Sequence, residues 1–479
     1  MISIFFGLWA LTAASIPFDD RGLITVTQAA DLRTTFSDGA DSVYDLTKRA
    51  EDLGLDSIII NDHLLFEIEY GIFPFQHLIK YKKKLSSLQV TGVQNYFDEI
   101  KKVQKQIPGV IIIPGLEVSP FYWWSKSLFN GSITVNHWEY HIGIIGMENP
   151  EVISNIPVVH NHFTGPPANE KLIRVGILFL ALIISFICKV IYKDSKLFGF
   201  LVFVNLLLVI NYFPYAGPEI NIYSKPLDDI KPSQKVIDYV KEHGGISVWH
   251  HMEAINGIGK KGNINIYTPK HPEDLLKTDG FTAFQGQYED AIHITDPGKQ
   301  WDQTLMEYAN GKREAPPWTF GGLDYHGVTA RGPKLRNIKN VYWVKKKSKE
   351  EIIAAMRAGR FYTVRQGEDY RLILDNFSLF DPGLQKEAIS GEMININGEP
   401  IVKIRISASN KKQESGTLNI IQDGKVVIEK KFTTPFESNF RMTSLKKDAD
   451  NLSYVRLMIH GKRPNIIKTN PIFYRVVKN

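Results

Sequence analysis

The chain has 479 residues, with 43% hydrophobic and 23% charged side chains, which is typical of a globular protein with two or three domains. Its formal net charge of +6 is modest, and basic and aromatic residues do not interleave, so a nucleic-acid partner is not expected. The single cysteine, Cys188, excludes a disulfide framework.

The chain begins with an almost wholly apolar segment, residues 2–16, that ends in small residues. This pattern is typical of the hydrophobic region and cleavage site of a secretory signal, although no basic segment precedes it. We predict a signal peptide or membrane anchor over residues 1–16, with a buried N-terminal strand as the alternative.

Residues 31–63 predict a strand, a polar loop, an amphipathic helix and a second strand. The loop carries a Ser-Asp-Gly motif at 37–39, and the helix has apolar side chains at helical spacing over 46–53. The apolar strand that follows ends at His63. Side chains at such strand ends carry the chemistry of α/β barrels, so this stretch is the first candidate for a functional site.

This stretch resembles the opening of the PHP (polymerase and histidinol phosphatase) family of metallohydrolases. The family pattern is roughly H-x-H-T-x-x-S-D-G, then a helix, then T-D-H. Residues 37–39 and 61–63 match this pattern. The two leading histidines of the family fall on Asp31 and Arg33, which is the main departure of this sequence.

Further matches to the family follow along the chain. Residues 64–107 are predicted to be mainly helical and polar, and a buried strand is predicted over 110–114. That strand leads into a Gly-x-Glu motif at 115–117, which is similar to a strand end of the PHP family. The next predicted strand carries His141 at the position of a family histidine, and His137 is a neighbour that could compete for this role.

Two apolar runs, residues 175–192 and 197–213, are each about long enough to cross a hydrocarbon core of roughly 30 Å at 1.5 Å per residue. A short basic turn joins them, and its lysines favour a cytoplasmic turn. The sequence therefore predicts a transmembrane hairpin over 172–214, with extracytoplasmic (periplasmic or extracellular) globular domains. A pair of buried core helices is the alternative.

The barrel pattern resumes after the hairpin. A predicted strand ends in His250 and His251, and the family motif places a ligand on His251 and a small residue on His250. The closing strand matches the S-D-x-H motif of the family with Asp324 and His326. A predicted helix over 349–359 completes this domain.

From about residue 368 the pattern changes to short alternating strands separated by turn residues, which predicts an all-β sandwich. The segment contains no cluster of catalytic residue types. We interpret it as a binding or packing module, for which a protein or a glycan is a candidate partner.

Taken together, these elements predict an α/β fold. Its centre is a distorted PHP-type β/α barrel in two parts, 25–170 and 230–365, interrupted by the transmembrane hairpin at 172–214. A β-sandwich over 368–479 follows the barrel.

The resemblance implies a metal centre whose ligands follow in the family's order. The candidate ligands are Asp31, Asp38, His63, Glu117, His141, His251, Asp324 and His326. Imidazole and carboxylate groups together suit zinc, manganese or iron. A bridging carboxylate, here Glu117, can hold two ions, which together lower the pKa of a shared water and orient it towards phosphorus.

The function implied by the resemblance is metal-dependent hydrolysis of a small anionic phosphoester outside the membrane, with one or two divalent ions. Hydrolysis of an amide or carbamate ester is a variant. His251 and Arg33 are the candidate catalytic residues. The alternative is a catalytically degenerate barrel that serves as a ligand-binding or envelope scaffold.

Arg33 bears on both alternatives, and the sequence leaves them open. Its permanent cation cannot replace a neutral imidazole as a metal ligand, so the ion site of the leading histidines is expected to be weakened or empty. Our hypothesis is that the planar guanidinium clamps a phosphate or carboxylate, with decay of the site as the alternative. The H-x-H pair His160 and His162 could supply replacement ligands, although it lies just before the hairpin.

Overall fold

The computed structural model describes residues 21–126, 132–161, 169–193, 195–213, 222–223, 225–226, 228–255, 257–328, 332–442 and 452–477. The predicted signal peptide or anchor at residues 1–16 lies outside the described residues.

Strands and helices alternate through most of the first 365 residues. They are β1 (Ile24–Leu32), α1 (Val43–Asp52), β2 (Ser57–His63), β3 (Glu67–Gly71), β4 (Lys80–Lys84), α2 (Leu88–Thr91), α3 (Val93–Gln106), β5 (Ile111–Val118), β6 (Trp123–Lys126), β7 (Ile133–Asn136), β8 (Ile142–Ile145), α4 (Pro150–Ser154), α5 (Asn169–Ile191), α6 (Lys196–Tyr212), α7 (Lys231–Glu242), β9 (Ile246–Trp249), β10 (Ile258–Lys261), β11 (Ile264–Tyr267), α8 (Asp274–Lys277), β12 (Ala283–Gln287), α9 (Gln300–Ala309), β13 (Trp318–Gly321), β14 (Ile338–Val344), α10 (Lys349–Ala358) and β15 (Phe361–Arg365).

The rest of the described chain is all β. Its strands are β16 (Leu372–Asp381), β17 (Lys386–Ile389), β18 (Met393–Ile396), β19 (Ile401–Ala408), β20 (Ser415–Gln422), β21 (Lys425–Thr433), β22 (Phe436–Arg441), β23 (Ser453–His460), β24 (Ile466–Thr469) and β25 (Ile472–Val476).

A large mixed sheet forms the framework of the first part, in the order β13-β12-β9-β8-β5-β2-β1-β14-β15. Strands β1, β2 and β5 are parallel, as are β9, β12 and β13, whereas β8 runs antiparallel to both of its neighbours. The segment after β13 returns to the end of β1, where the Leu323 amide donates to the Ala30 carbonyl (3.1 Å) and the Arg33 amide to the Tyr325 carbonyl (2.8 Å). These bonds curl the sheet and bring several strand ends together.

The local sequence explains why these elements form. Ile58, Ile59 and Ile60 of β2 are fully buried, as expected for a strand covered on both faces. Helix α1 begins at Ser42, whose hydroxyl accepts a hydrogen bond from an amide of the first turn. Helix α10 ends at Gly359 with φ of 73°, where a Cβ atom would lie 2.6 Å from the Trp318 ring. Helices and strands thus share one apolar core.

The segment predicted to be mainly helical over residues 64–107 starts with a β-ribbon instead. Strands β3 and β4 pair antiparallel, and only α2 and α3 are helical. Alternation explains the ribbon: Glu67 and Glu69 of β3 are buried on one face, where Lys82 and Lys80 of β4 pair with them. A separate small sheet, in the order β10-β11-β7-β6, lies beside this ribbon.

Helices α5 and α6 form a hairpin, but the transmembrane interpretation of residues 172–214 is wrong. The described part of the chain contains no helix that combines the length and apolar character needed to cross a membrane. The 17 residues of α6 extend about 26 Å at 1.5 Å per residue, which is shorter than a hydrocarbon core of roughly 30 Å. The predicted membrane location with extracytoplasmic domains depended on this hairpin and is contradicted with it.

The fold is therefore mixed α/β with large β-sheets and without the predicted membrane span. Strands β20, β21, β23, β24 and β25 continue the large sheet, because β24 pairs with β15. Strands β17, β16, β19 and β22 form a second sheet, and the two sheets share an apolar core. The predicted domain boundary near residue 368 stays a prediction, since hydrogen bonding of the large sheet continues across it.

Candidate metal centre

Side chains from six strand ends meet at one edge of the large sheet. They are supplied by β1, β2, β5, the residue before β8, the turn after β9 and the turn after β13. Three of these residues have left-handed backbone conformations: Asp31 with φ of 65°, His251 with φ of 28° and Asp324 with φ of 50°. Such conformations are costly for residues other than glycine and cluster at functional sites, so the backbone itself points to this edge.

Glu117, at the end of β5, lies at the centre of a group of buried histidines. The Nδ1 atoms of His63 and His141 are both 3.3 Å from its Oε2 atom. On the other side of the carboxylate, Nδ1 of His250 is 2.6 Å and Nε2 of His251 is 3.8 Å from Oε1. His141 and His251 also approach each other, with 3.2 Å between Nδ1 and Nε2. Among the described residues, these side chains form two overlapping groups whose ligand atoms could hold a metal ion.

The spacing of three of these ligands suits a metal ion. Zinc–nitrogen and zinc–oxygen bonds of about 2.0–2.1 Å place neighbouring ligand atoms about 3.3 Å apart. The Oε2 atom of Glu117 lies 3.3 Å from His63 and 3.3 Å from His141. His251 lies 3.2 Å from His141 but 3.8 Å from Glu117, and it belongs to the second group with Glu117 and His250.

The protonation states also suit a metal. Burial, with the positive charge of Arg33 and the neighbouring histidines, holds the pKa of His141 well below its ordinary value, although Glu117 opposes this. His141 is thus a neutral imidazole with a lone pair to donate. Burial would raise the pKa of Glu117, but Arg33 and His141 outweigh it and hold that pKa well below the ordinary value. The carboxylate is therefore ionised.

His250 belongs to this group, although the sequence motif placed a small residue at its position. Its Nδ1 donates to Glu117, and burial is outweighed by Asp31 and Glu117, which raise the pKa of His250. Space for the ring comes from Gly143 on β8, where a Cβ atom would lie 2.1 Å from Nε2 of His250. Strand β8 pairs with β9, so the absence of a side chain at Gly143 leaves room for the ring of His250, which follows β9. This relation depends on the register of the two strands and is not visible in the sequence.

Arg33 is fully buried within the centre and does not face solvent. Its Nη1 atom contacts Asp31 at 2.8 Å, and its Nη2 atom contacts Glu117 at 2.6 Å and Asp324 at 3.2 Å. Nη1 also donates to the Asn61 carbonyl. Both terminal nitrogens are thus engaged by acceptors of the protein. The sequence-based hypothesis of an anion clamp assumed a guanidinium free to meet substrate, whereas the observed one neutralises carboxylates.

Asp31 joins the centre through Arg33 and through His250, whose Nδ1 atom lies 3.5 Å from Oδ1 of Asp31. One carboxylate oxygen contacts Arg33, and the other accepts from Nε2 of Gln285 at 2.7 Å and from the Asp324 amide at 3.2 Å. Gln285 is a second residue that sequence reasoning missed. It also accepts from the His251 amide at 2.7 Å, so it connects β12 with the strained turn after β9.

Asp38 and His326 form the more exposed rim of the centre. Their side chains are 33% and 29% exposed, and Oδ2 of Asp38 lies 3.3 Å from His326 and 3.6 Å from His63. Burial opposes protonation of His326, but the bond to Asp38 outweighs it and raises the pKa of His326 to about 9. Near neutral pH the rim therefore carries a protonated imidazole beside a carboxylate.

Asp324 and Tyr288 lie between the rim and Arg33. The Tyr288 hydroxyl donates to Oδ2 of Asp324 at 3.4 Å, and its ring centroid is 6.0 Å from that of His251. Tyr288 follows β12 directly and carried no recognisable motif in the sequence. Its hydroxyl therefore reaches the carboxylate of Asp324 from the side of His251.

The Ser-Asp-Gly and Asn-Asp-His motifs have a structural role beside the centre. Asp62 is fully buried and accepts from the Thr34 hydroxyl (2.6 Å), the Thr34 amide (2.8 Å) and the Ser37 hydroxyl (2.6 Å). These bonds fix the loop after β1, which carries Asp38 to the rim.

The alternative histidines lie apart from the centre. His137 stacks on Tyr140 with centroids 4.4 Å apart. His160 bonds the Tyr122 hydroxyl at 2.8 Å, and its proposed partner His162 lies outside the described residues. Neither His137 nor His160 is among the potential metal-binding groups of the described chain.

Solved structures with a similar fold include three hydrolase-like proteins. A two-domain protein of Bacteroides vulgatus containing a predicted PHP-like metal-dependent phosphoesterase aligns over 91% of this chain and 91% of its own, with 10% identity and a TM-score of 0.38. A protein of Bifidobacterium adolescentis described as a metal-dependent phosphoesterase aligns over 69% and 95%, with 15% identity and a TM-score of 0.30. An amidohydrolase of Chromobacterium violaceum, solved with sulfate and no metal, aligns over 64% and 92%, with 11% identity and a TM-score of 0.27. No protein-family model and no curated protein matches the chain.

The Bacteroides vulgatus protein is described as PHP-like, the family that the sequence resembles. At identities of 10–15% and TM-scores below 0.5, these likenesses carry no argument about this chain. A function for this chain has to rest on its own side chains.

Proposed function

We propose that this protein is a metal-dependent hydrolase of phosphoesters that uses one divalent ion. The observation that carries the proposal is the spacing of 3.3 Å from Glu117 to the buried ligand atoms of His63 and His141. These three residues would hold the ion, and His251, 3.2 Å from His141, would complete a four-ligand site. When bound, it would polarise the ester and lower the pKa of a water molecule at the site. A phosphoester is proposed as the substrate because residues 37–39 and 61–63 resemble the PHP family.

One ion, rather than two, follows from Arg33. Besides Glu117, its guanidinium touches Asp31 and Asp324, which lie outside the histidine groups and are the further carboxylates that a second cation would need. The permanent cation beside Asp31 and Asp324 repels a second metal ion and competes for their oxygens. We infer that Arg33 supplies a fixed positive charge in the place of a second metal.

The remaining residues position the centre and receive the substrate. His250 and Arg33 hold opposite oxygens of Glu117, at 2.6 Å each, and so fix the plane of this ligand. At the rim, the protonated His326 offers a positive charge to an anionic phosphoester arriving from solvent. Its proton, shared with Asp38, is available for a leaving oxygen.

The decisive experiment is elemental analysis of the full chain. About one transition-metal ion per chain is expected after incubation with manganese, zinc or iron, in accord with a four-ligand site. Glu117→Gln and His141→Ala should lose the ion, whereas His243→Ala, which removes an exposed histidine on another face, should keep it. Absence of bound metal in the wild type would overturn the proposal, and the buried cluster would then be a structural ion-pair network.

The reaction is tested on the metal-loaded protein. Hydrolysis of 4-nitrophenyl phosphate but not of 4-nitroacetanilide is expected for a phosphoesterase. The reverse preference would replace the phosphoester by an amide while leaving the metal centre intact.

A further inference from the structure

An apolar pocket lies next to the metal centre, between the β3–β4 ribbon and the small sheet. Its volume is about 290 Å³, near the lower end of the range of roughly 300–1,000 Å³ for small-molecule sites. The walls are mainly aromatic and branched side chains: Phe66, Ile68, Tyr70, Tyr81, Leu85, Trp124, Val135, Trp138, Ile264 and Ile266, with Lys83 and Lys261. Nothing in the proposed function uses this pocket.

Strand alternation explains why one face of the ribbon is apolar. Lys80, Lys82 and Lys84 of β4 turn to the face that holds buried glutamates and pair with them. Tyr81 and Lys83 turn to the opposite face and line the pocket. The sequence of β4 therefore separates a charge-paired face from a face left for an apolar ligand.

Phe66 lies between the pocket and the metal centre. Its ring stacks on His63, with centroids 4.5 Å apart and 22° between the planes, and it also meets Trp138 at 5.4 Å. His63 is a proposed ligand, while Phe66 and Trp138 are pocket walls. The pocket and the centre are therefore neighbours that share the Phe66 ring.

The two lysines give the pocket a positive charge. Lys83 and Lys261 come from different strands and both line it. Among the described residues, neither lysine has a carboxylate within ion-pair distance, in contrast to the three other lysines of β4. A lysine can lay its aliphatic stem along an apolar group and keep its ammonium group in water. This arrangement suits a molecule that is both apolar and anionic.

From the position of the pocket beside the centre and from its aromatic walls we infer the class of substrate, an inference that rests on the proposed function. The geometry points to phosphoesters whose organic group is aromatic, of about the size of a naphthyl ring, rather than a sugar or glycerol. The ring would occupy the pocket behind Phe66, and the phosphate would lie at the centre. Flat rings stack well on aromatic walls, whereas hydroxyl groups would be left without partners there.

The test compares 1-naphthyl phosphate with glycerol phosphate on the metal-loaded protein. The value of kcat/KM should be at least about tenfold higher for the naphthyl ester, as is typical for a well-filled apolar pocket. Ile266→Asp, which places a charge in the pocket wall, should reduce this preference to about threefold or less. Ile258→Asp is the matched control, because Ile258 is exposed on the neighbouring strand and does not line the pocket.

A binding measurement separates the two proposals. Quenching of tryptophan fluorescence by 1-naphthol needs no reaction, and Trp124 and Trp138 lie in the wall. Weaker binding in Ile266→Asp alone supports the pocket even if no ester is hydrolysed, a result that would overturn only the proposed function. Hydrolysis of both esters at similar rates, with equal naphthol binding in both variants, would overturn the pocket inference and leave the hydrolase intact.

Discussion

Arg33 shows how a single residue can change the character of a metal centre. Its buried guanidinium lies among Asp31, Glu117 and Asp324, so one fixed cation balances part of three negative charges. A buried cation is tolerated only where such partners exist, and the partners in turn depend on the cation. Arg33 and the carboxylates therefore form a unit in which no member can be removed alone.

We predict that Arg33→Met lowers the free energy of unfolding by roughly 3–5 kcal/mol, because the variant leaves buried carboxylates without their counter-charge. Urea denaturation measures this change. Arg336→Met is the control, since Arg336 is a partly exposed residue paired with the exposed Glu368 and its loss should cost less than about 1 kcal/mol. A cost below about 1 kcal/mol for Arg33→Met would contradict the counter-charge role.

The position of the His250 ring depends on the absence of a Cβ atom at Gly143. A Cβ atom on Gly143 would lie 2.1 Å from Nε2 of His250, so a methyl group there pushes the ring away from Glu117. We predict that Gly143→Ala costs about 1–3 kcal/mol and also lowers metal content, because the Glu117 carboxylate loses its donor. Thermal unfolding and elemental analysis measure the two effects.

The control for this prediction is Gly259→Ala on β10, where a Cβ atom meets no heavy atom within 4 Å. This variant should leave both metal content and stability close to those of the wild type. A Gly143→Ala protein with normal metal content would show that the centre adapts to a displaced His250.

The positions of the metal-centre residues at strand ends could be predicted from the sequence, but the contacts between their side chains could not. His63, Glu117, His141 and His251 fall at predicted strand ends and do converge. His250 and Gln285 were missed because their contacts depend on the register of β8 with β9 and of β12 with its neighbours. Arg33 was seen as a departure, yet its burial among carboxylates is a property of the assembled centre.

At the scale of elements, the helical hairpin and the β3–β4 ribbon were the parts predicted least well. The hairpin helices α5 and α6 were located correctly as apolar helices, but apolar composition alone did not decide whether they cross a membrane. The ribbon was taken as helical because its polar side chains have no clear period of two until Glu67 and Glu69 are matched with the lysines of β4.

One residue attaches the hairpin to the loop after β3. Asn211 is fully buried at the end of α6, where its side-chain oxygen accepts from the amides of His77 (2.9 Å) and Leu78 (3.2 Å) and its amide group donates to the Pro74 carbonyl (3.1 Å). A side chain from a distant element thus satisfies three backbone groups of this loop.

We predict that Asn211→Leu loosens the loop, because the His77 amide loses the Asn211 oxygen as its acceptor, whereas the Leu78 amide keeps the Phe75 carbonyl. Hydrogen exchange at His77 should become at least about tenfold faster, in line with a loss of roughly 1.4 kcal/mol or more of local stability. Asn205→Leu is the control, since Asn205 bonds only within the hairpin, to Ser185 and Leu201. Equal exchange in both variants would show that packing, rather than Asn211, holds the loop.

At the scale of the whole molecule, the all-β part is joined to the mixed α/β part by buried polar groups as well as by the shared sheet. Arg456 of β23 pairs with Asp302 of α9 at 2.7 Å and lies over the Trp301 ring at 4.6 Å. Lys468 of β24 donates to the Gly286 carbonyl and the Thr295 hydroxyl, both at 2.7 Å. The sequence indicates a change to an all-β pattern near residue 368. It does not reveal that the regions before and after this residue share buried polar contacts.

Lys468 makes the stability of this junction dependent on pH. Burial lowers the pKa of Lys468 to about 7, from an ordinary value of 10.5. Between these values the unfolded chain binds a proton that the folded protein does not, so stability rises with pH across the window. Below about pH 7 both states are protonated and the cost of burying the charge is present in full.

We therefore predict that the free energy of unfolding of the wild type, relative to Lys468→Met, increases between pH 7.5 and 8.5 by about 1 kcal/mol, close to the limit of 1.36 kcal/mol per pH unit for one group. Urea denaturation at each pH measures the difference, and other titrating groups cancel because both proteins contain them. Lys462→Met, which removes an exposed lysine from the turn before β24, is the matched control and should run parallel to the wild type. A wild-type curve parallel to that of Lys468→Met would mean that Lys468 keeps its charge at the junction, held by the two oxygens it contacts.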